Sequence, residues 1–116
     1  MVVSILRVFP QGEQRRQVGR ILRSVQGPVQ AHPQCAGCYL CEEDDYGRAI
    51  LYMEKWDSEE DLYQHIRSDL YNRILAAAEL SHSRPEFHFH YVKESRGIDL
   101  IESLRKTPVE GQVENL

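Results

Sequence analysis

The segment "RAILYMEKW", residues 48 to 56, constrains the fold more than any other part of the chain. It reads as a β-strand. On a strand, successive side chains alternate sides, so Ile50, Tyr52, Glu54 and Trp56 share one face and Ala49, Leu51 and Met53 share the other. Both faces carry apolar residues. A sheet backed by helices on one side only should be wet on its other side, so this pattern implies that the second side is covered as well. A chain of 116 residues suits one domain and leaves little room for a second to provide that cover. It also buries only about two-thirds of its unfolded surface. The expected cover is a second copy of the chain, and the expected partner state is a homodimer.

The neighbouring segments supply the rest of the sheet. "VVSILRVF", residues 2–9, reads as strand one and ends at Pro10. In "GEQRRQVGRILRSV", residues 12–25, Val18, Ile21, Leu22 and Val25 fall at helical spacing, with Arg15, Arg16, Arg20 and Arg23 on the remaining surface. Those arginines read as a solvated face, with an anion site as the alternative. "QGPVQAHPQ" breaks the helical pattern. "AGCYLCEE", residues 36–43, reads as strand two and "DDYG" as a turn, which makes a hairpin with strand three.

Ser58 followed by Asp61 resembles a capping box, with Glu59 and Glu60 placed well for the helix dipole. The helix passes through Leu62 and Ile66. "RSD", residues 67–69, reads as a pause and a second cap before "LYNRILAAAEL". Pro85 opens "EFHFHYV" as strand four, and "IDLIESLRK", residues 98–106, reads as a C-terminal helix. The expected domain is 1–106, followed by a polar tail, 107–116. The order is βαββαβ plus a helix. The predicted class is therefore α+β: a ferredoxin-like antiparallel sheet with two backing helices and a C-terminal helix.

The net charge is −4, with no basic block outside the first helix, which argues against a nucleic-acid partner. "MVVSILRVFP" has no basic leader and no small-residue cleavage site, and no stretch reaches the length of a membrane span. A cytoplasmic location with reduced thiols is the expectation, with no membrane partner.

"GCYLCEEDDYGRAILYMEKWDSEEDLYQHIRSDLYNRI" resembles the antibiotic biosynthesis monooxygenase domain of the dimeric α+β barrel superfamily. The residues that carry the resemblance are Gly37 and Cys38, Glu54 and Trp56, Ser58 to Asp61, His65, and Ser68 with Asp69. The resemblance implies a homodimer whose sheets pack face to face, with a cavity between sheet and helices in each subunit. Members of that family include cofactor-independent oxygenases of quinols and polycyclic phenols, and others degrade haem. The haem-degrading branch carries a Trp where His65 stands and a haem-ligating His where Leu75 stands. Leu75 cannot ligate iron, and "SILRVF" lacks that branch's strand-one Asn, so haem degradation is disfavoured.

His65 is the candidate catalytic residue. At helical spacing it lies about 60° from Leu62 and about 100° from Ile66, bordering the apolar stripe. Partial burial favours a neutral imidazole, which can take a phenolic proton. The resulting phenolate can reduce O₂ directly, so no cofactor is expected; the protein supplies a dry pocket and orientation. Trp56 and Tyr52 are candidate walls for a small aromatic ligand, and Glu54 either orients His65 or pairs with an arginine. The plain alternative is a core-edge histidine satisfied by a carbonyl or by Glu54, in a non-catalytic dimeric ligand-binding or scaffold module. Tyr63 and Tyr71 have no assigned role.

"CAGCYLC" places Cys35, Cys38 and Cys41 at iron–sulfur spacing but lacks the fourth cysteine, and a strand sends Cys38 and Cys41 to opposite faces. Cys38 reads as a packing residue. His88 and His90 share one face of strand four at a workable ligand spacing, which leaves a third reading open: a metal site completed by His65 or Glu54.

Overall fold

The computed structural model describes residues 1–44 and 48–106. Its elements run β1 (Val2–Val8), α1 (Glu13–Gln30), β2 (Cys35–Glu42), β3 (Ile50–Trp56), α2 (Glu59–Arg67), α3 (Tyr71–Glu79), β4 (Glu86–Tyr91) and α4 (Ile98–Arg105). The strands form one sheet in the order β2-β3-β1-β4, with every neighbouring pair antiparallel. This is the expected α+β ferredoxin-like arrangement. Three of the four residues expected at the turn, 45–47, and the whole tail, 107–116, lie outside the described residues.

Alternation on β1 and β3 decides which side of the sheet becomes the core. Val2, Ser4, Leu6 and Val8 are buried, as are Ile50, Tyr52, Glu54 and Trp56. Against them pack Val18, Leu22, Val25 and Val29 of α1, Leu62 of α2 and Ile74 of α3. The opposite face presents Val3, Ile5, Leu51 and Met53, all only half-buried, so β3 is apolar on both sides as its sequence required. Among the described residues no helix covers that second face to the point of burial.

Two helix boundaries differ from the sequence reading, each for a local reason. α1 does not stop at Val25 but continues across Gly27 and Pro28 to Gln30. Part of proline's cost is a clash with the Cβ of the residue before it, and Gly27 has none. The extension also buries Val29, one more turn of the apolar stripe. The second difference lies at "RSD", where the expected second N-cap is absent: Leu70 occupies the N-cap of α3 with no side-chain bond. Ser68 instead closes α2, its hydroxyl donating to the His65 carbonyl at 2.6 Å and its N–H donating to the same oxygen at 3.0 Å. The start of α2 behaves as expected. Ser58 accepts from the Asp61 N–H at 3.2 Å and donates its own hydroxyl to the Asp61 carboxylate at 2.6 Å.

α4 carries no buried residue, and Ile98, Leu100, Ile101 and Leu104 are all exposed. No described helix is long and apolar enough to cross a membrane.

Candidate active site

Glu54 is the polar centre of the core. Its residue is 1% exposed, yet each carboxylate oxygen is occupied. Trp56 Nε1 donates to Oε1 at 2.8 Å, Tyr52 Oη donates to Oε2 at 2.6 Å, and His65 Nε2 lies 2.9 Å from the same Oε2. Strand alternation explains the cluster: Tyr52, Glu54 and Trp56 are successive helix-facing residues of β3, and α2 lays His65 over them. A buried carboxylate must find such donors, because an unsatisfied one would be strongly disfavoured.

The bonding pattern sets the histidine tautomer. Oε2 is an acceptor toward both neighbours, so His65 Nε2 carries the hydrogen. Nδ1 is then the basic nitrogen, and it has no protein partner among the described residues. The ring sits 4.9 Å from the Trp56 ring and 5.3 Å from the Tyr71 ring, centroid to centroid.

His65 and Trp56 border a cavity of about 330 Å³ between the C-terminal end of α1 and the α2–α3 joint. Pro28, Val29, Ser68 and Leu70 supply further lining, with Asp61, Gln64 and His32. Of the four residues singled out in the sequence, His65 and Trp56 reach this cavity. Glu54 stands behind them. Tyr52 is not in the lining; its hydroxyl is spent on Glu54, and burial, followed by the Glu54 charge, raises its pKa far above the ordinary phenol value. Burial likewise pushes the Tyr71 phenol up to about 12.

His32 was not singled out from the sequence. Its ring meets the edge of Trp56 at 5.1 Å, and its Nδ1 accepts the Gln34 N–H at 3.1 Å, which leaves Nε2 as a donor. Its position directly after α1, next to Pro33, became informative only once the helix was known to run to Gln30.

His88 and His90 lie elsewhere. Their rings stack at 6.1 Å on the face opposite Glu54, because His88 is level with Ile5 and Phe89 with Ser4. His65 and Glu54, the suggested further ligands, are therefore across the sheet from them. No cluster of three metal-ligating side chains occurs among the described residues.

The cysteines separate as a strand requires. Cys38 is buried and its thiol donates to Tyr52 Oη at 3.3 Å, while Cys41 is exposed. Burial pushes the Cys38 thiol up to about 11. Iodoacetamide at pH 8 is expected to modify Cys41 rapidly and Cys38 only after unfolding, as peptide mapping would read; rapid labelling of Cys38 in the folded chain would contradict the packing. The linked stability has a definite sign. The raised thiol pKa contributes stability that is complete below the ordinary value of 9.0 and is lost as pH rises toward about 11.

Comparison with known proteins matches this framework. The family model for "Antibiotic biosynthesis monooxygenase" fits residues 1–77, which include β1 to β3, α2 and His65. No curated protein matches the chain in sequence. Among solved structures, Rv0793 from Mycobacterium tuberculosis is 23% identical, with a TM-score of 0.73 over 83% of this chain and 98% of its own. A Deinococcus radiodurans protein assigned to the same family is 17% identical, with a TM-score of 0.74 over 84% of this chain and 98% of its own. SnoaB, a cofactor-independent oxygenase from Streptomyces nogalater, is 13% identical, with a TM-score of 0.67 over 81% of this chain and 94% of its own. At these identities the structures share the fold alone, but the family model spans the greater part of the chain, including the strand and helix that build the Glu54–His65 pair. The chain belongs to the antibiotic biosynthesis monooxygenase family.

Proposed function

We propose that the chain is a cofactor-independent monooxygenase acting on a small aromatic quinol or phenol, with His65 as its base. The observation that supports this most directly is the free Nδ1 of an imidazole held through Nε2 by a buried carboxylate, at the wall of a cavity. Membership of a family that includes cofactor-independent oxygenases agrees with it.

The chemistry runs as follows. Trp56 supplies a flat face for the ring, and Nδ1 takes the hydroxyl proton. Glu54 stabilises the imidazolium that forms and fixes its orientation. His32 Nε2–H is the donor available to the developing phenolate oxygen. The phenolate gives one electron to O₂, and the resulting radical pair combines at a ring carbon that bears hydrogen. The proton on His65 completes the hydroperoxide, which loses water and leaves a carbonyl. One oxygen atom ends in the quinone and the other in water, so a phenol and O₂ account for all atoms. A cavity of about 330 Å³ is at the lower end for small-molecule sites and suits one or two rings.

The proposal includes a homodimer that covers the half-buried face formed by Val3, Ile5, Leu51 and Met53. The rival reading is a non-catalytic dimeric module that binds a small ligand or serves as a scaffold. It draws on the same centre, since Trp56, Tyr52 and His65 by themselves occupy both oxygens of Glu54.

Oxygen uptake with a panel of naphthalene diols, quinols and phenols distinguishes them. The wild type is expected to consume O₂ and to place one atom of ¹⁸O₂ in the product, and His65→Ala is expected to lose about 10²–10⁴-fold in rate. Equal, slow uptake by both proteins would defeat the catalytic assignment. Tight retention of an aromatic compound without turnover would favour the binding module.

A further inference from the structure

A second hollow, of about 750 Å³, is remote from His65, on the outer side of the N-terminal half of α1. Its lining includes Arg15, Arg16, Arg20 and Arg23 against the carboxylates of Glu13 and Glu42 only. Helical geometry explains the convergence: Arg16, Gly19 and Arg23 project within about 60° of one another, with Arg15 and Arg20 on either flank. Gly12 leaves open space at one end, Gly19 lets the Arg23 side chain lie close against the helix, and the arginines form the rim. A Cβ built on Gly19 would lie 3.2 Å from Arg23 Nη1, so the Arg23 side chain lies back across the helix at that position.

Pairing among the described residues does not account for this charge. Arg15 Nε meets Glu42 at 3.3 Å and its Nη1 donates to the Arg48 carbonyl, but its Nη2 is buried with no hydrogen-bond partner among the described residues. Arg16, Arg20 and Arg23 have no carboxylate within 4.0 Å among the described residues. Like charges three and four residues apart also weaken an isolated helix, so the arrangement is mildly unfavourable until an anion is present. All this occurs in a chain of net charge −4.

We propose that this groove binds the phosphate groups of a small oligophosphate-bearing molecule. Guanidinium groups match phosphate oxygens in bidentate geometry, and the groove offers several of them along one line. Arg16 and Arg23 are about 10 Å apart along the helix axis, longer than a single phosphate and suited to a short chain of them. The positive end of the α1 dipole lies at the same end of the groove. The site is independent of the aromatic cavity, which lies at the other end of α1, and its test does not depend on oxygenase activity.

The probe is sodium tripolyphosphate, titrated into the full chain by calorimetry, with sodium chloride matched for ionic strength as reference. Saturable binding of one tripolyphosphate per chain is expected. The triple variant Arg16→Gln, Arg20→Gln, Arg23→Gln, altered only at exposed positions, should bind more than about tenfold more weakly. Gly19→Ala keeps every charge but displaces Arg23, and should bind more weakly while its melting temperature does not fall, since alanine favours the helix. Absence of saturable binding by the wild type would overturn the proposal. So would an equal loss in a control variant at the exposed arginines that flank the α2–α3 joint, at the other end of α1, Arg67→Gln with Arg73→Gln. Tighter binding of a short oligonucleotide than of tripolyphosphate would overturn the small-molecule assignment.

Discussion

Glu54→Ala is expected to lower the unfolding free energy by about 3–5 kcal/mol, a large share of the 5–15 kcal/mol typical of a small domain. The loss is not that of one ion pair. Removing the carboxylate strands the Trp56 indole N–H, the Tyr52 hydroxyl and the His65 Nε2–H at once, in a region where Trp56 is 1% exposed and Tyr52 is 3% exposed. Each stranded donor keeps its desolvation penalty without its bond. Urea unfolding can be followed through Trp56, the chain's single tryptophan, whose indole is bonded to the deleted group. A midpoint within about 1 kcal/mol of wild type would mean that water replaces the carboxylate, and that the centre is wetter than its packing indicates.

Glu54→Gln gives the second large effect, this time on chemistry. The glutamine fills the same space, but it has one oxygen where the carboxylate has two. With its oxygen toward Trp56 Nε1–H, its amide nitrogen faces Tyr52 Oη and His65 Nε2. An N–H facing Nε2 requires that nitrogen to accept, which moves the ring hydrogen to Nδ1. The nitrogen proposed to take the substrate proton is then no longer a base. The rate constant kcat should fall about 10²–10⁴-fold. KM should change little, because Glu54 is not part of the cavity lining. Imidazole ¹⁵N spectra provide a readout free of turnover: the protonated nitrogen of His65 should change from Nε2 to Nδ1. Wild-type turnover in the variant would remove Glu54 as a positioning residue, and an unchanged tautomer would refute the stated cause.

The fold was legible because most of its instructions are local. Period-two alternation on "RAILYMEKW" identifies the face that becomes the core, and the Ser58–Asp61 step places the start of α2. Helix ends were harder to read because they depend on small absences. The missing Cβ of Gly27 lets α1 pass a proline, and Ser68 turns back to a carbonyl rather than forward to an N–H. Within the site, His65 and Glu54 were readable as ionisable residues on apolar faces, where burial forces them to find partners. Their mutual bond was one of several options until α2 was docked on β3. Tyr52 shows the limit of facing rules: a strand places a side chain on a side of the sheet but does not fix which neighbour its polar atom will reach. His32 was hidden because it joins the cavity through a chain reversal rather than through any periodic pattern.

The joint at Ser68–Leu70, where α2 ends and α3 begins, has a consequence for how members of such a lineage diverge. The Glu54–His65 pair is anchored on β3 and α2, while Leu70 lines the cavity from just before α3. Drift at Leu70 can retune the shape of the cavity and leave the Glu54–His65 bond intact, whereas Ser68 is tied to the His65 carbonyl. Cavity shape and the orientation of His65 thus depend in part on different positions in the sequence.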